Sequence, residues 1–171
     1  MNICLWVKIL TMHVSTRIEE LRKEISELEA AAPTPKDLMV GVCRLLHERM
    51  LKYSWVGFYM LEPGANPPML VLGAFVGAMT PHRRIPLNQG ICGAAATSGK
   101  TIVVDDVRKD PRYLACSLET KSEIVVPVFV KGEVVGELDI DSHFPAAFGP
   151  EDQKLVQHCA EIAGRRLEKS H

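Results

Sequence analysis

Apolar residues recur every three or four positions at both ends of this chain and every second position through its middle, and that change of period restricts the folds open to it. Near the N terminus, Ile18, Leu21, Ile25 and Leu28 form a narrow helical seam behind the capping-box pair Thr16 and Glu19. A second helix starts at the N-cap Thr34 with Pro35 in its first turn, and presents the broad face Leu38, Val42, Leu45, Leu46 and Met50. A C-terminal helix from about residue 150 turns Leu155, Val156, Cys159, Ile162, Ala163 and Leu167 inward. Between these helices, residues 54–61, 69–75, 101–104, 122–130 and 133–141 read as strands, and a short helix around 92–98 stops at Gly99. That order implies an α+β fold, an α/β sandwich. An antiparallel sheet carries the N- and C-terminal helices on one face and leaves the other for a ligand pocket.

At 171 residues the chain has room for one core rather than two. Residues 33–171 are expected to be the globular domain, 13–32 an N-terminal helix, and 1–12 a disordered or non-native extension, with Met12 as a second candidate start. The apolar run 1–10 is too short to span a bilayer and no small-residue cleavage site follows it, so the expected location is cytoplasmic, with no membrane partner. Lys and Arg number 20 against 21 Asp and Glu and are scattered among them, which argues against nucleic acid as a partner. The five cysteines, at 4, 43, 92, 116 and 159, form no CxxC pair, and their odd number argues against a disulfide framework. The seam from Ile18 to Leu28 suits one partner helix, either within the chain or in a second copy; a homodimer through the terminal helices is the expected assembly.

The strand over 133–141 is two-faced. Its even positions, Val134, Gly136, Leu138 and Ile140, are apolar or small, whereas Glu133, Val135, Glu137, Asp139 and Asp141 occupy the odd ones. Asp139 and Asp141 therefore point together, away from the core. The face taken by Glu123 depends on the turn at Lys131-Gly132. A two-residue turn would pair Val130 with Glu133 and send Glu123 into the core. A three-residue turn with a left-handed bulge at Gly132 would pair Phe129 with Glu133 and set Glu123 opposite Asp139. The second register also gathers Ile124, Val126, Val128 and Val130 with the even set on one apolar face, and it is the expected one.

From Trp55 onward the chain resembles the GAF family, through Gly90-Ile91-Cys92-Gly93-Ala94-Ala95, through Thr97-Ser98-Gly99, where a serine splits the family's Thr-Gly pair, and through Asp105-Asp106-Val107 and Asp110-Pro111-Arg112-Tyr113. Within that family it is most similar to the free methionine-(R)-sulfoxide reductases. The matching segments are Ser54-Trp55-Val56-Gly57-Phe58-Tyr59, Gly90-Ile91-Cys92-Gly93, Leu114-Ala115-Cys116, Ser122-Glu123-Ile124-Val125 and Leu138-Asp139-Ile140-Asp141-Ser142. The resemblance implies a GAF-like sheet and an oxidoreductase that reduces free L-methionine-(R)-S-oxide with a thiol. Cys116 would be the nucleophile, Cys92 an auxiliary and possible resolving thiol, Trp55 and Tyr59 pocket walls, and Glu123, Asp139 and Asp141 the ligand-holding acids. Those enzymes typically carry a further resolving cysteine two residues before an Arg-Ile-Pro segment; here His82 precedes Arg84-Ile85-Pro86. Many GAF domains are sensors, so a non-catalytic small-molecule binding module is the alternative.

The chemistry needs a thiolate to attack sulfur, a proton for the oxygen, and a second thiol to clear the sulfenic acid. Cys116 lies in a polar loop, whereas Cys43 and Cys159 recur with apolar residues on helices and are expected to be inert core. Cys92 begins the short helix, where the positive dipole end would favour a thiolate; a small residue packed in a glycine turn is the plainer reading. Three converging carboxylates repel one another, so at least one should hold a raised pKa unless a cation such as an amino-acid ammonium is bound, and a carboxyl that keeps its proton can serve as general acid. Asp139 and Asp141 could instead be the solvated side of an edge strand. His82, Cys92, Cys116 and His143 follow no familiar metal-ligand spacing, so no metal and no bound cofactor are expected. The reductant would be an external thiol, thioredoxin or a low-molecular-weight one.

Overall fold

In the computed structural model, which describes residues 3–115 and 117–170, with side chains from Arg17 onward, two helices lead into the sheet. They are α1 (Ile3–Ala31) and α2 (Pro35–Arg49). Thr34 caps α2 as expected, its hydroxyl accepting the Asp37 N–H at 3.1 Å. The strands are β1 (Trp55–Leu61), β2 (Met69–Val76), β3 (Arg84–Pro86), β4 (Ile102–Val104), β5 (Ser122–Val130) and β6 (Glu133–Ser142). A short helix, α3 (Gly90–Ser98), separates β3 from β4 and ends on Gly99 in the left-handed region; α4 (Pro150–Glu168) closes the chain. None of the described helices is long and apolar enough to cross a membrane.

All six strands pair antiparallel in one sheet, ordered β3-β2-β1-β6-β5-β4. The long two-faced strand β6 thus sits near the centre, between β1 and β5. Helices α1, α2 and α4 cover one face, where Val56, Phe58, Ile124, Val126, Val128, Leu138 and Ile140 meet Leu38, Val42, Leu46, Leu155 and Ile162 in the larger core. The seam residues Ile18, Leu21 and Ile25 belong to this core, so the seam is used within the chain. Asp152 pins α4 to the α2–β1 connection: it accepts the Tyr53 hydroxyl and the Lys52 ammonium, both at 2.8 Å, and the Gly149 N–H at 3.0 Å.

The strand β3 was not expected from the sequence; three residues are too few to show a period, and its existence depends on the edge offered by β2. The β5–β6 turn also differs from expectation. Lys131 and Gly132 make a two-residue turn with both φ angles positive, 50° and 82°, and Val130 pairs with Glu133. The extra residue enters further along β6. Phe129 pairs with Val134 but Val128 pairs with Gly136, so Val135 is the bulge. Val134 then packs on the face opposite the helices and Val135 on the helix face, exchanging the places that simple alternation gives them. Beyond the bulge Glu123 lies opposite Asp141, not Asp139. The predicted facing survives because one inserted residue, wherever it enters, restores the same parity.

Candidate active site

On the face away from the three long helices, the registers of β1, β6 and β5 build three rows. Trp55, Asp141 and Glu123 form the first; Gly57, Asp139 and Val125 the second; Tyr59, Glu137 and Pro127 the third. A column of acids therefore runs down the middle strand with aromatic residues beside it. Helix α3 lies over this column with Ile91, Cys92 and Ala95 facing the sheet, so the acids are enclosed rather than solvated. Glu137 is 0 % exposed, Asp139 2 %, Asp141 4 % and Glu123 5 %.

A cavity of about 270 Å³ opens on this face, with Asp139 and Asp141 on its floor and Trp55 and Tyr59 on its wall. Gly77, Ala78, Met79 and Thr80 border it on one side, and Ser117, Glu119 and Thr120 on the other. Trp55 can lie flat because two glycines leave room. A Cβ on Gly57 would fall 2.2 Å from the indole, and one on Gly77 2.5 Å from it. The Trp55 ring stacks on Phe75 at 5.9 Å between centroids, and its Nε1 donates to the Ala78 carbonyl at 3.0 Å. The Tyr59 hydroxyl donates to the His82 carbonyl at 2.8 Å, and the His82 ring Nε2 donates to the Ala115 carbonyl at 3.2 Å. His82 thus ties the wall of the cavity to the segment that leads to Cys116. Cys116 itself lies outside the described residues; its neighbour Ser117 lines the cavity.

Electrostatics follows from enclosure. Burial, then repulsion from Asp139, Asp141 and Glu137, pushes the Glu123 carboxyl well above the usual range. Asp139 is raised by burial and by Asp141 and Glu137, with a Cys92 hydrogen bond opposing. Burial raises Asp141 to about 7 and Glu137 to about 8. Both oxygens of Glu137, and one each of Asp139 and Asp141, have no hydrogen-bond partner among the described residues.

Two expectations change here. The Cys92 thiol does not benefit from its helix terminus: it is buried, it lies 3.6 Å from Asp139 Oδ2 and 4.0 Å from Glu123 Oε1, and burial together with Asp139, Glu137 and Glu123 pushes its pKa well up. Glu137 joins the cluster as a fourth acid beyond the three that the resemblance marks. Its place on the acidic side of the alternation was the available signal. Cys43 and Cys159 are buried among the helices, and burial raises both thiols.

The GAF domain model matches residues 35–167, most of the chain and every strand described above. The chain belongs to the GAF family. This GAF domain is similar to the free methionine-R-sulfoxide reductase of Neisseria meningitidis, solved in complex with its substrate, at 35% identity and a TM-score of 0.83 over 90% of this chain and 89% of that one. It is 41% identical to the type II free methionine-R-sulfoxide reductase of Thermoplasma acidophilum, with a TM-score of 0.73 over 83% of this chain and 96% of that one. The free methionine-R-sulfoxide reductase of Escherichia coli K12 is 34% identical over 84% of both chains.

Proposed function

We propose that this GAF domain reduces free L-methionine-(R)-S-oxide to methionine, with Cys116 as the nucleophile. The observation that carries the reading is the floor of the cavity: buried Asp139 and Asp141, backed by Glu123 and beside the Trp55 indole, in a chain similar over most of its length to enzymes named for this reaction. An amino-acid ammonium is the cation such a floor lacks, and Trp55 and Tyr59 offer an apolar wall to a thioether-length side chain. The Cys116 thiolate attacks the sulfoxide sulfur, a carboxyl that has kept its proton protonates the oxygen, and collapse leaves methionine and a Cys116 sulfenic acid. One thiol condenses with the sulfenic acid, forming a disulfide and releasing water; a second thiol restores Cys116.

We assign both thiols to an external reductant, thioredoxin or a low-molecular-weight thiol. Cys92, the internal candidate, would have to lose its proton beside Asp139, Glu137 and Glu123, and His82 stands at the other expected position. No bound cofactor enters this scheme. The reading suits a reducing compartment, the cytoplasm, and a homodimer through the terminal helices, which light scattering would measure.

The deciding assay is turnover of free L-methionine-(R)-S-oxide by the purified chain with a dithiol. Turnover should disappear in Cys116→Ser and fall by about 10²–10⁴ in Asp141→Asn, the usual range for loss of an acid–base partner. Turnover that survives Cys116→Ser would overturn the mechanism, and binding without turnover would mark a sensor. Mass spectrometry after one turnover without reductant should find a Cys116 sulfenate and no bridge to Cys92.

A further inference from the structure

We propose that His143 and His47 take the α-carboxylate of the bound amino acid and thereby make the cavity select ligands whose carboxyl is free. The proposal deepens the reading above and rests on its amino-acid ligand. A free amino acid is a zwitterion, and the floor of the cavity suits only one of its charges: Asp139 and Asp141 attract the ammonium and disfavour the carboxylate. Among the described residues no Lys or Arg lines the cavity. Its acids are Glu119, Asp139 and Asp141, and its basic side chains are His47 and His143. A cavity with acids alone would prefer a plain cation to a zwitterion; the two histidines supply the missing pole.

They reach the cavity from separate elements. His143 is the first residue after β6, two positions beyond Asp141, so it extends the line of Asp139 and Asp141 past the end of the strand. Its backbone N–H donates to the Ser54 hydroxyl at 3.1 Å, which fixes it to the residue just before Trp55. His47 comes from the last turn of α2. An imidazole has an N–H to donate whether or not the ring is charged, so a carboxylate finds a donor there in either state. The His143 Nε2 lies 3.7 Å from Glu119 Oε2, too far for a hydrogen bond, and the Glu119 side chain is 75% exposed. That contact leaves the His143 N–H available, and a ligand carboxylate replaces Glu119 beside the ring. With the ammonium over Asp139 and Asp141 and the side chain along Trp55 and Tyr59, the carboxylate falls at the histidine end. An amide at that carbon carries no charge, so its hydrogen bond to an imidazole is the weaker one.

The test compares L-methionine with L-methioninamide by calorimetry on the full-length protein at about pH 6.5, below the usual α-amino range. The two ligands differ at the carboxyl alone, and the acid floor by itself would favour the amide, which is a net cation. L-Methionine should nevertheless bind about tenfold or more tighter. His143→Ala should weaken methionine by a similar factor and leave methioninamide within about twofold, with an unchanged circular dichroism spectrum. His143→Asn, which keeps an N–H donor, should lose less, and His47→Ala should move the ratio in the same direction. Parent protein that binds neither ligand, methioninamide that binds as tightly as methionine, or a ratio unchanged in His143→Ala would overturn the proposal. The sulfoxide assay decides the reductase reading separately: a chain that discriminates between these ligands without turning over sulfoxide keeps this assignment and loses that one.

Discussion

Gly57 shapes the cavity without offering a functional group to it. The Trp55 ring occupies the space its Cβ would fill, so Gly57→Ala must displace either the indole or the strand. Overpacking of this kind costs about 1–3 kcal/mol. The expected outcome is a lowered unfolding midpoint together with a raised KM for free methionine sulfoxide, whereas a surface change would alter neither. Both acids that the resemblance marks on β6 were legible as a facing pair from alternation alone. The burial of Glu137 was not, because simple alternation puts Glu133 and Glu137 on one side and the two look alike in sequence, yet Glu133 is exposed. What separates them is the bulge at Val135, which turns them to opposite faces, and the approach of Cys92 on α3 to Glu137, neither of which has a local signature. His82 was visible only as a departure from a pattern; its tether to the Ala115 carbonyl depends on a distant loop returning to the sheet.

At the scale of elements, the β5–β6 hairpin decides whether the acids face the cavity or the core. Its turn supplies tightness and its bulge at Val135 supplies parity, and a different glycine stands at each. Gly132 sits at φ 82° with nothing near its missing side chain, so Gly132→Ala meets only backbone strain, about 1 kcal/mol. Gly136 follows the bulge, and a Cβ there would lie 2.5 Å from the Tyr59 carbonyl oxygen of the neighbouring strand. Urea unfolding should therefore rank Gly136→Ala as clearly more damaging than Gly132→Ala. Helices α2 and α4, the Thr34 cap and the Gly99 stop could be read from period and capping residues, whereas α1 runs from Ile3 straight through Thr16, where a capping box was expected to start it, and through the stretch expected to be disordered. The position of the bulge could not, since a residue inserted at Gly132 or at Val135 gives Glu123 the same facing and leaves the same hydrophobic pattern in β5.

For the molecule as a whole, the two sides of the sheet have opposite effects on stability. The helix side is an apolar core; the other side encloses acids whose folded pKa values are raised. An unfolded carboxyl titrates near about pH 4, whereas Asp141 and Glu137 hold their protons to about 7 and about 8. Across that interval the folded protein binds more protons than the unfolded chain, so these groups' contribution is full at acid pH and is lost as pH rises through the folded values. The ligand-free protein should melt at a lower temperature at about pH 8.5 than at about pH 6. Glu137→Gln, which cannot ionise, should reduce that difference and melt higher than the parent at the alkaline end. A pH-independent melting temperature would contradict the enclosure of these acids.

Enclosed acids also make the cavity a store of exchangeable protons. Near neutral pH, an ammonium settling over Asp139 and Asp141 favours their ionised forms, and the displaced proton passes to the solvent. Calorimetry of free methionine binding should then report a heat that varies with the ionisation enthalpy of the buffer, with a slope that counts the protons released. That slope should shrink toward zero once the pH is high enough to have ionised the floor beforehand. The same carboxylates that burden the empty fold at alkaline pH would make it a tighter receptor there, linking ligand affinity to the acidity of its surroundings.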